Sequence, residues 1–276
     1  MKNIKEKTLV IIAGVAGEIG TAFAKSITNQ EIDVVGVVRN RKLIGDMNPH
    51  YSEIFCDLSN EYEIEKKFGN MALENYSRII YLHTIGVDKF DPRNYPMIQK
   101  METIPSDIYE TNVNTFKYLL RYLAKRIRGI NDSGKKLLMK SVIIAGTSDK
   151  YTPFVIESFC EAKFILREYI RSYQSRFPDW FSGLSINVTS TVTKSAIEVR
   201  PYAKLDYWLT PEEVTERSIN QLLDLRMGYE EVDLVKFSPE YNEGYYEDRD
   251  LLYEKWSAET GISSPLMETK TKHLQQ

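Results

Sequence analysis

Short apolar runs alternate with longer amphipathic segments through most of the chain, and this alternation predicts strands followed by helices. The runs that read as strands are Thr8–Ala13, Asp33–Val38, Glu53–Phe55, Arg78–His83, Ser141–Gly146, Leu184–Val188 and Asp233–Phe237. Runs with no polar alternation are what strands buried on both faces require. Between them, Ile108, Phe116, Leu119, Leu120, Leu123 and Ile127 recur at helical spacing over about 107–128, entered through Pro105 and Ser106. A second helix is predicted over about 156–176, carrying Phe159, Ala162, Ile165, Leu166, Tyr169 and Tyr173. A third follows Thr210-Pro211-Glu212-Glu213, where proline holds the first helical position and acids the first turn. About seven strands joined by right-handed helical crossovers give an α/β fold, a doubly wound parallel sheet with helices on both faces.

No linker, internal repeat or low-complexity tract interrupts residues 8–237, so residues 1–239 read as one domain. Beyond Pro239 the composition turns acidic and tyrosine-rich, with a short helix predicted over 248–260, and residues 240–276 form an extension of unknown role.

Composition changes little in this picture. Hydrophobic residues make up 42% and charged residues 27% of the 276, enough to bury a full core. A net charge of −3 gives no electrostatic case for nucleic acid or a membrane surface. The basic stretch Lys117, Arg121, Lys125, Arg126, Arg128, Lys135, Lys136 and Lys140 lacks interleaved aromatics and reads as the solvated side of a helix and loop. Cys56 and Cys160 lie outside any C-x-x-C pair, so two reduced thiols are expected and no metal site. Lys2, Lys5 and Lys7 before Leu9–Val15 imitate a signal peptide, but Glu18 interrupts the run too early and no segment is long enough to span a membrane. A cytoplasmic location is expected.

The first strand runs directly into Ala13-Gly14-Val15-Ala16-Gly17-Glu18-Ile19-Gly20, and an amphipathic segment over 21–28 follows. A corner without Cβ atoms lets backbone approach a diphosphate, which then rests on the free N–H groups and positive end of the following helix. Gly14, Ala16, Gly17, Glu18, Ile19 and Gly20 are therefore candidate cofactor contacts, and the domain is expected to be a Rossmann fold. At the end of the second strand, where NAD-binding proteins usually carry an acid, stands Arg39. A guanidinium there can bond a ribose 2′-phosphate, so NADP(H) is the expected cofactor, with NAD(H) possible.

With these residues the chain resembles the short-chain dehydrogenase/reductase family over most of residues 8–237. Asp57-Leu58 resembles the family's acidic-apolar pair at adenine, although Asp57 can equally cap a helix. Leu82-His83-Thr84-Ile85-Gly86 stands where the family has Asn-Asn-Ala-Gly, which by resemblance makes His83 a candidate cofactor contact, and it reads as a hydrogen-bonded structural histidine more readily than as an acid or base. By resemblance, Asn112 bends its helix and holds a relay water, while Lys163 holds the nicotinamide ribose. The family's tyrosine is absent: Phe159, one helical turn before Lys163, cannot exchange a proton. The family's serine place falls at Gly146 or Thr147, so Thr147 or Ser148 would polarise the substrate oxygen. The Pro-Gly expected after the sixth strand is replaced by Thr189-Ser190-Thr191-Val192-Thr193, and Tyr202, Tyr207 and Trp208 stand where family members carry a substrate lid.

The resemblance implies an NADP(H)-dependent oxidoreductase acting on a carbonyl or secondary alcohol of a small molecule, a dimer or tetramer, with a proton source other than Phe159. Ser158, Tyr202, a water held by Lys163, or the substrate are the candidates. The alternatives are a catalytically silent NADP(H)-binding sensor or partner subunit and a lyase or epimerase on the same fold.

Overall fold

The apolar runs assemble into a single parallel sheet in the computed structural model, which describes residues 7–39, 49–87, 106–146, 157–224, 226–236 and 247–261. Its strands are β1 (Thr8–Ala13), β2 (Asp33–Val38), β3 (Tyr51–Phe55), β4 (Arg78–His83), β5 (Leu138–Gly146), β6 (Phe181–Val188) and β7 (Gly228–Leu234), in the order β3-β2-β1-β4-β5-β6-β7. The helices are α1 (Glu18–Thr28), α2 (Glu61–Phe68), α3 (Ser106–Tyr109), α4 (Thr115–Asp132), α5 (Glu157–Arg176), α6 (Lys194–Val199), α7 (Pro211–Leu223) and α8 (Arg249–Thr260), with a π-helical turn at Glu110–Asn114 joining α3 to α4.

Strand alternation sends successive side chains to two separate cores. Leu9, Ile11, Ile79 and Tyr81 face α2, α4 and α5, where Ile64, Phe116, Leu120 and Leu166 meet them. Val10, Ile12, Ile80 and Leu82 face α1 and α7, against Phe23, Ile27, Val214 and Leu222. The chain runs outward from β1 to β2 and β3 and then returns to β4 on the other side of β1. The carboxyl ends of β1 and β4 therefore open a crevice, the place where sheets of this kind take ligands. Helix α7 starts as its sequence predicts: Thr210 Oγ1 accepts from the Glu213 amide at 3.1 Å, and the Thr210 amide donates to Glu213 Oε2 at 2.7 Å. Among the described residues no helix is long and apolar enough to cross a membrane.

Four expectations need correction. The seventh strand is Gly228–Leu234 rather than 233–237. It is an edge strand whose face toward α5 carries Tyr229, Glu231 and Asp233, and these meet polar partners: Arg171 Nη2 donates to Glu231 Oε1 at 2.5 Å and Asn187 Nδ2 to Asp233 Oδ1 at 2.8 Å. An apolar run was the wrong signal for it. Strands β3, β5 and β6 begin two to three residues earlier than predicted. The helix predicted over 107–128 is broken by the π turn. Finally, Lys140 is not solvated: it is 3% exposed, and its ammonium donates to the carbonyls of Gln221 at 2.6 Å and Asp224 at 3.1 Å, closing the end of α7. Burial pulls its pKa down. Arg126 likewise spends its guanidinium on the carbonyls of Phe68, Gly69 and Met71.

Candidate active site

At the carboxyl end of β1 the chain turns through Gly14, whose φ of +84° is open to glycine at little cost. Helix α1 then begins at once behind Gly17, which has no side chain to cap it, so the first-turn amides of Glu18, Ile19 and Gly20 lack intrahelical acceptors. Gly20 lies so close beneath the turn that a Cβ on it would stand 2.4 Å from the Gly14 carbonyl oxygen and 2.8 Å from Val15 Cα. Thr84, just past β4, ties the crevice shut below: its Oγ1 donates to the carbonyls of Ala13 at 2.9 Å and Gly14 at 3.2 Å, and Thr21 Oγ1 donates to Val15 at 2.9 Å. The result is a closely packed corner whose residues line a cleft. The cradle fits a diphosphate in shape and in donor chemistry.

That cleft, about 280 Å³, runs from Gly17, Glu18, Ile19 and Gly20 past Thr84 and Gly86 to Phe159 and Lys163, with the segment after β6 forming its other wall. Lys163 is 3% exposed, and its ammonium donates to the Ile85 carbonyl at 2.8 Å. It also lies 5.2 Å from the centre of the Phe159 ring. Phe159 and Lys163 thus share one helix face, as their spacing predicts. Gly86 lets the strand-four segment pack flush on both, because a Cβ there would stand 3.3 Å from Lys163 Nζ and 3.4 Å from Phe159 Cε2.

Asn112 is fully buried in the π turn. Its Oδ1 accepts from the Val87 amide at 3.1 Å, while Nδ2 donates to the carbonyls of Val87 and Ile108, both at 3.0 Å. This side chain stitches the π turn to the segment that holds Lys163. Insertions of this kind concentrate at functional sites. Directly below, His83 is buried with Tyr81 Oη at 3.1 Å from its Nδ1 and the Asn112 backbone beside the ring. Burial, with the Lys163 charge second, holds its pKa well below the usual histidine value. Its ring stands edge-on to Phe116 at 5.3 Å.

Just past β2, Arg39 is exposed and has no ion-pair partner among the described residues. Asp57 does not cap α2. That role belongs to Asn60, which accepts from Tyr62 and Glu63 amides at 3.1 and 3.2 Å. Asp57 Oδ1 instead accepts from the amide and hydroxyl of Ser59 at 3.0 and 2.8 Å, beside a buried Leu58. Thr147 and Ser148 lie outside the described residues. Of the other proton candidates, Ser158 is fully buried and Tyr202 is 60% exposed.

Three sets of contacts were not read from the sequence. Glu18 sends its carboxylate across the cleft to the Lys194 amide, 3.2 Å from each oxygen, joining the first turn of α1 to α6. Arg167, 4% exposed, holds the last carbonyl of β5 through an Nη2 bond of 2.8 Å to Gly146, and the same nitrogen donates to Asn187 Oδ1 at 2.9 Å. Arg200 lines the cleft beside Trp208. A lone arginine on a helix reads as solvated, and only its one-turn offset from Lys163 hinted at Arg167. Neither Cys56 nor Cys160 is in a disulfide, and burial pushes the Cys56 thiol up to about 12.

No protein-family model and no curated protein sequence matches the chain. Solved structures do. A 3-ketoacyl-(acyl-carrier-protein) reductase from Brucella melitensis complexed with NADH is similar at a TM-score of 0.65 and 16% identity, covering 83% of this chain and 97% of that one. A 4-hydroxyisoleucine dehydrogenase complexed with NADH is similar at 0.62 and 18% identity, covering 82% and 97%. An NADPH-dependent 3-quinuclidinone reductase from Rhodotorula rubra is similar at 0.62 and 13% identity, covering 88% and 92%. The chain has the fold of the short-chain dehydrogenases and reductases.

Proposed function

We propose that the chain is an NADP(H)-dependent oxidoreductase acting on a carbonyl or secondary alcohol of a small molecule, with residues 1–239 as its cofactor-binding and catalytic unit. The observation that carries this reading is that the glycine corner and the buried Lys163 open onto one cleft. A diphosphate there rests on the amides of the first turn of α1. Arg39, exposed and without an ion-pair partner among the described residues, meets a 2′-phosphate, which favours NADP(H) over NAD(H). Asp57 and Leu58 sit at the adenine. The bound dinucleotide supplies or accepts the hydride.

The chain's own residues orient the reactants. Lys163, fixed by the Ile85 carbonyl, reaches the ribose hydroxyls. Asn112 keeps the π turn open for a relay water, and Thr147 or Ser148 polarises the substrate oxygen. Phe159 cannot move a proton. The burial of Ser158 and the exposure of Tyr202 favour a water on Lys163, or the substrate itself, as the proton source. A positioned donor contributes about 10²–10⁴ in rate, so slow turnover is expected.

A second reading, a silent NADP(H)-binding sensor or partner subunit, is favoured by one observation: the ring 5.2 Å from Lys163 Nζ carries no hydroxyl. Stopped-flow NADPH oxidation over a carbonyl panel, native chain against Phe159→Tyr, separates the two. Measurable native turnover, raised roughly 10²-fold in the variant, is the outcome for an oxidoreductase. Turnover in the variant alone overturns that reading in favour of the sensor.

A further inference from the structure

The C-terminal segment, which the sequence leaves without a task, supports one wall of the cleft. Arg200 donates from Nε to Asp248 Oδ2 at 3.1 Å and from Nη2 to Oδ1 at 2.5 Å, and the two side chains are 10% and 2% exposed. The guanidinium lies 5.4 Å from the centre of the Trp208 ring, and its Nη1 reaches Ser190 Oγ at 3.4 Å. Lys204 pairs with Glu247 alongside. Leu252 and Trp256, 2% and 0% exposed, anchor α8. Trp208 is carried next to the segment after β6 by the bonds from the Leu209 amide to Ser190 at 3.0 Å and from the Val192 amide to Leu209 at 2.8 Å.

Two polar atoms of this wall have no hydrogen-bond partner among the described residues: Thr189 Oγ1 and Trp208 Nε1, on residues 4% and 1% exposed that both line the cleft. Buried orphans are uncommon in folded proteins and call for a ligand or an ordered water. An indole N–H only donates and a hydroxyl can donate, so the complementary group is an acceptor. Its charge follows from Asp248. The Arg200 charge is already matched by Asp248, so this wall itself offers a carboxylate no free counter-charge, whereas an amide or carbonyl needs none.

We infer that Thr189 and Trp208, held by Arg200 and Asp248, form a subsite for an uncharged hydrogen-bond acceptor of the substrate, such as an amide or a second carbonyl. Asp248 is a positioning residue through which the C-terminal segment sets substrate choice. That the ligand is a substrate rests on the oxidoreductase reading; the subsite itself is tested by binding alone.

The test is a ligand-detected NMR titration of the full chain at neutral pH with three probes of equal size: 4-oxopentanamide, 4-oxopentanoate and 5-methylhexan-2-one, each with and without saturating NADPH. The amide is expected to bind roughly tenfold more tightly than the branched ketone, and more tightly than the carboxylate, with NADPH present or absent. Trp208→Phe, which keeps a ring and deletes the donor, is expected to remove most of that preference while NADPH affinity stays within about twofold. Asp248→Asn should do the same, and Asp248→Glu should restore part of it. Equal binding of amide and branched ketone, or tightest binding of the carboxylate, overturns the subsite. An amide preference that NADPH abolishes assigns these donors to the cofactor's carboxamide and overturns the substrate assignment. If Trp208→Phe does not fold, the ranking on the native chain still decides. If NADPH itself fails to bind, the oxidoreductase reading falls while the ranking without it judges the subsite.

Discussion

Replacing Gly20 by alanine separates the needs of the ligand from the needs of the fold. The added methyl would stand 2.4 Å from the Gly14 carbonyl oxygen, 2.8 Å from Val15 Cα and 2.9 Å from Thr84 Oγ1. Ordinary contact lies near roughly 3.5 Å, so α1 must retreat from the turn by about 1 Å. Overpacking of this kind costs about 1–3 kcal/mol. Alanine recovers about 1 kcal/mol of helix propensity over glycine, which leaves a net loss of roughly 0–2 kcal/mol in urea unfolding. Affinity is the sharper readout. The retreat carries the Ile19 and Gly20 amides off the diphosphate, and losing one charge-assisted bond is worth about 1.5–3 kcal/mol. The NADPH dissociation constant measured by calorimetry should therefore rise about 10- to 100-fold. Gly134→Ala is the control: its φ is +89° but nothing lies within 4 Å of the added methyl, so it should lose stability and keep its affinity. Gly20→Ala with NADPH affinity within about twofold of the native chain would refute the cradle.

Other outcomes follow from the same geometry. Arg39→Asp should move the NADPH:NADH affinity ratio toward NADH by about 10- to 100-fold; an unchanged ratio in paired titrations removes Arg39 from the 2′-phosphate. His83 resists protonation because it is buried, its pKa held well below that of an exposed histidine. The unfolded chain therefore binds the extra proton first, so stability is full above about pH 6.5 and falls by up to about 1.4 kcal/mol per pH unit below it. His83→Gln should flatten that part of the profile in urea melts between pH 7 and 5, and an identical slope would mean that His83 protonates in the folded chain.

Where a strand is buried on both faces the sequence is a direct guide: β1, β2 and β4 have the predicted bounds because Leu9–Ala13, Val34–Val38 and Ile79–His83 meet apolar or closed surroundings throughout. The edge strand β7 escapes because its acids are satisfied sideways by Arg171 and Asn187. The π turn escapes because its apolar spacing continues that of α4, and only the buried Asn112 marks it. Within the site, the glycine corner is legible because its chemistry is local. Arg167 and the Arg200–Asp248 pair are not, since their partners lie 20 and 48 residues away and a single charged residue carries no sign of burial.

The corner at 14–20 is tested most directly by a crystal structure of the chain with NADPH. Diphosphate oxygens should lie within about 3.2 Å of the Ile19 and Gly20 amides, with the 2′-phosphate at Arg39. Saturating NADPH that leaves those amides without a phosphate contact would contradict it.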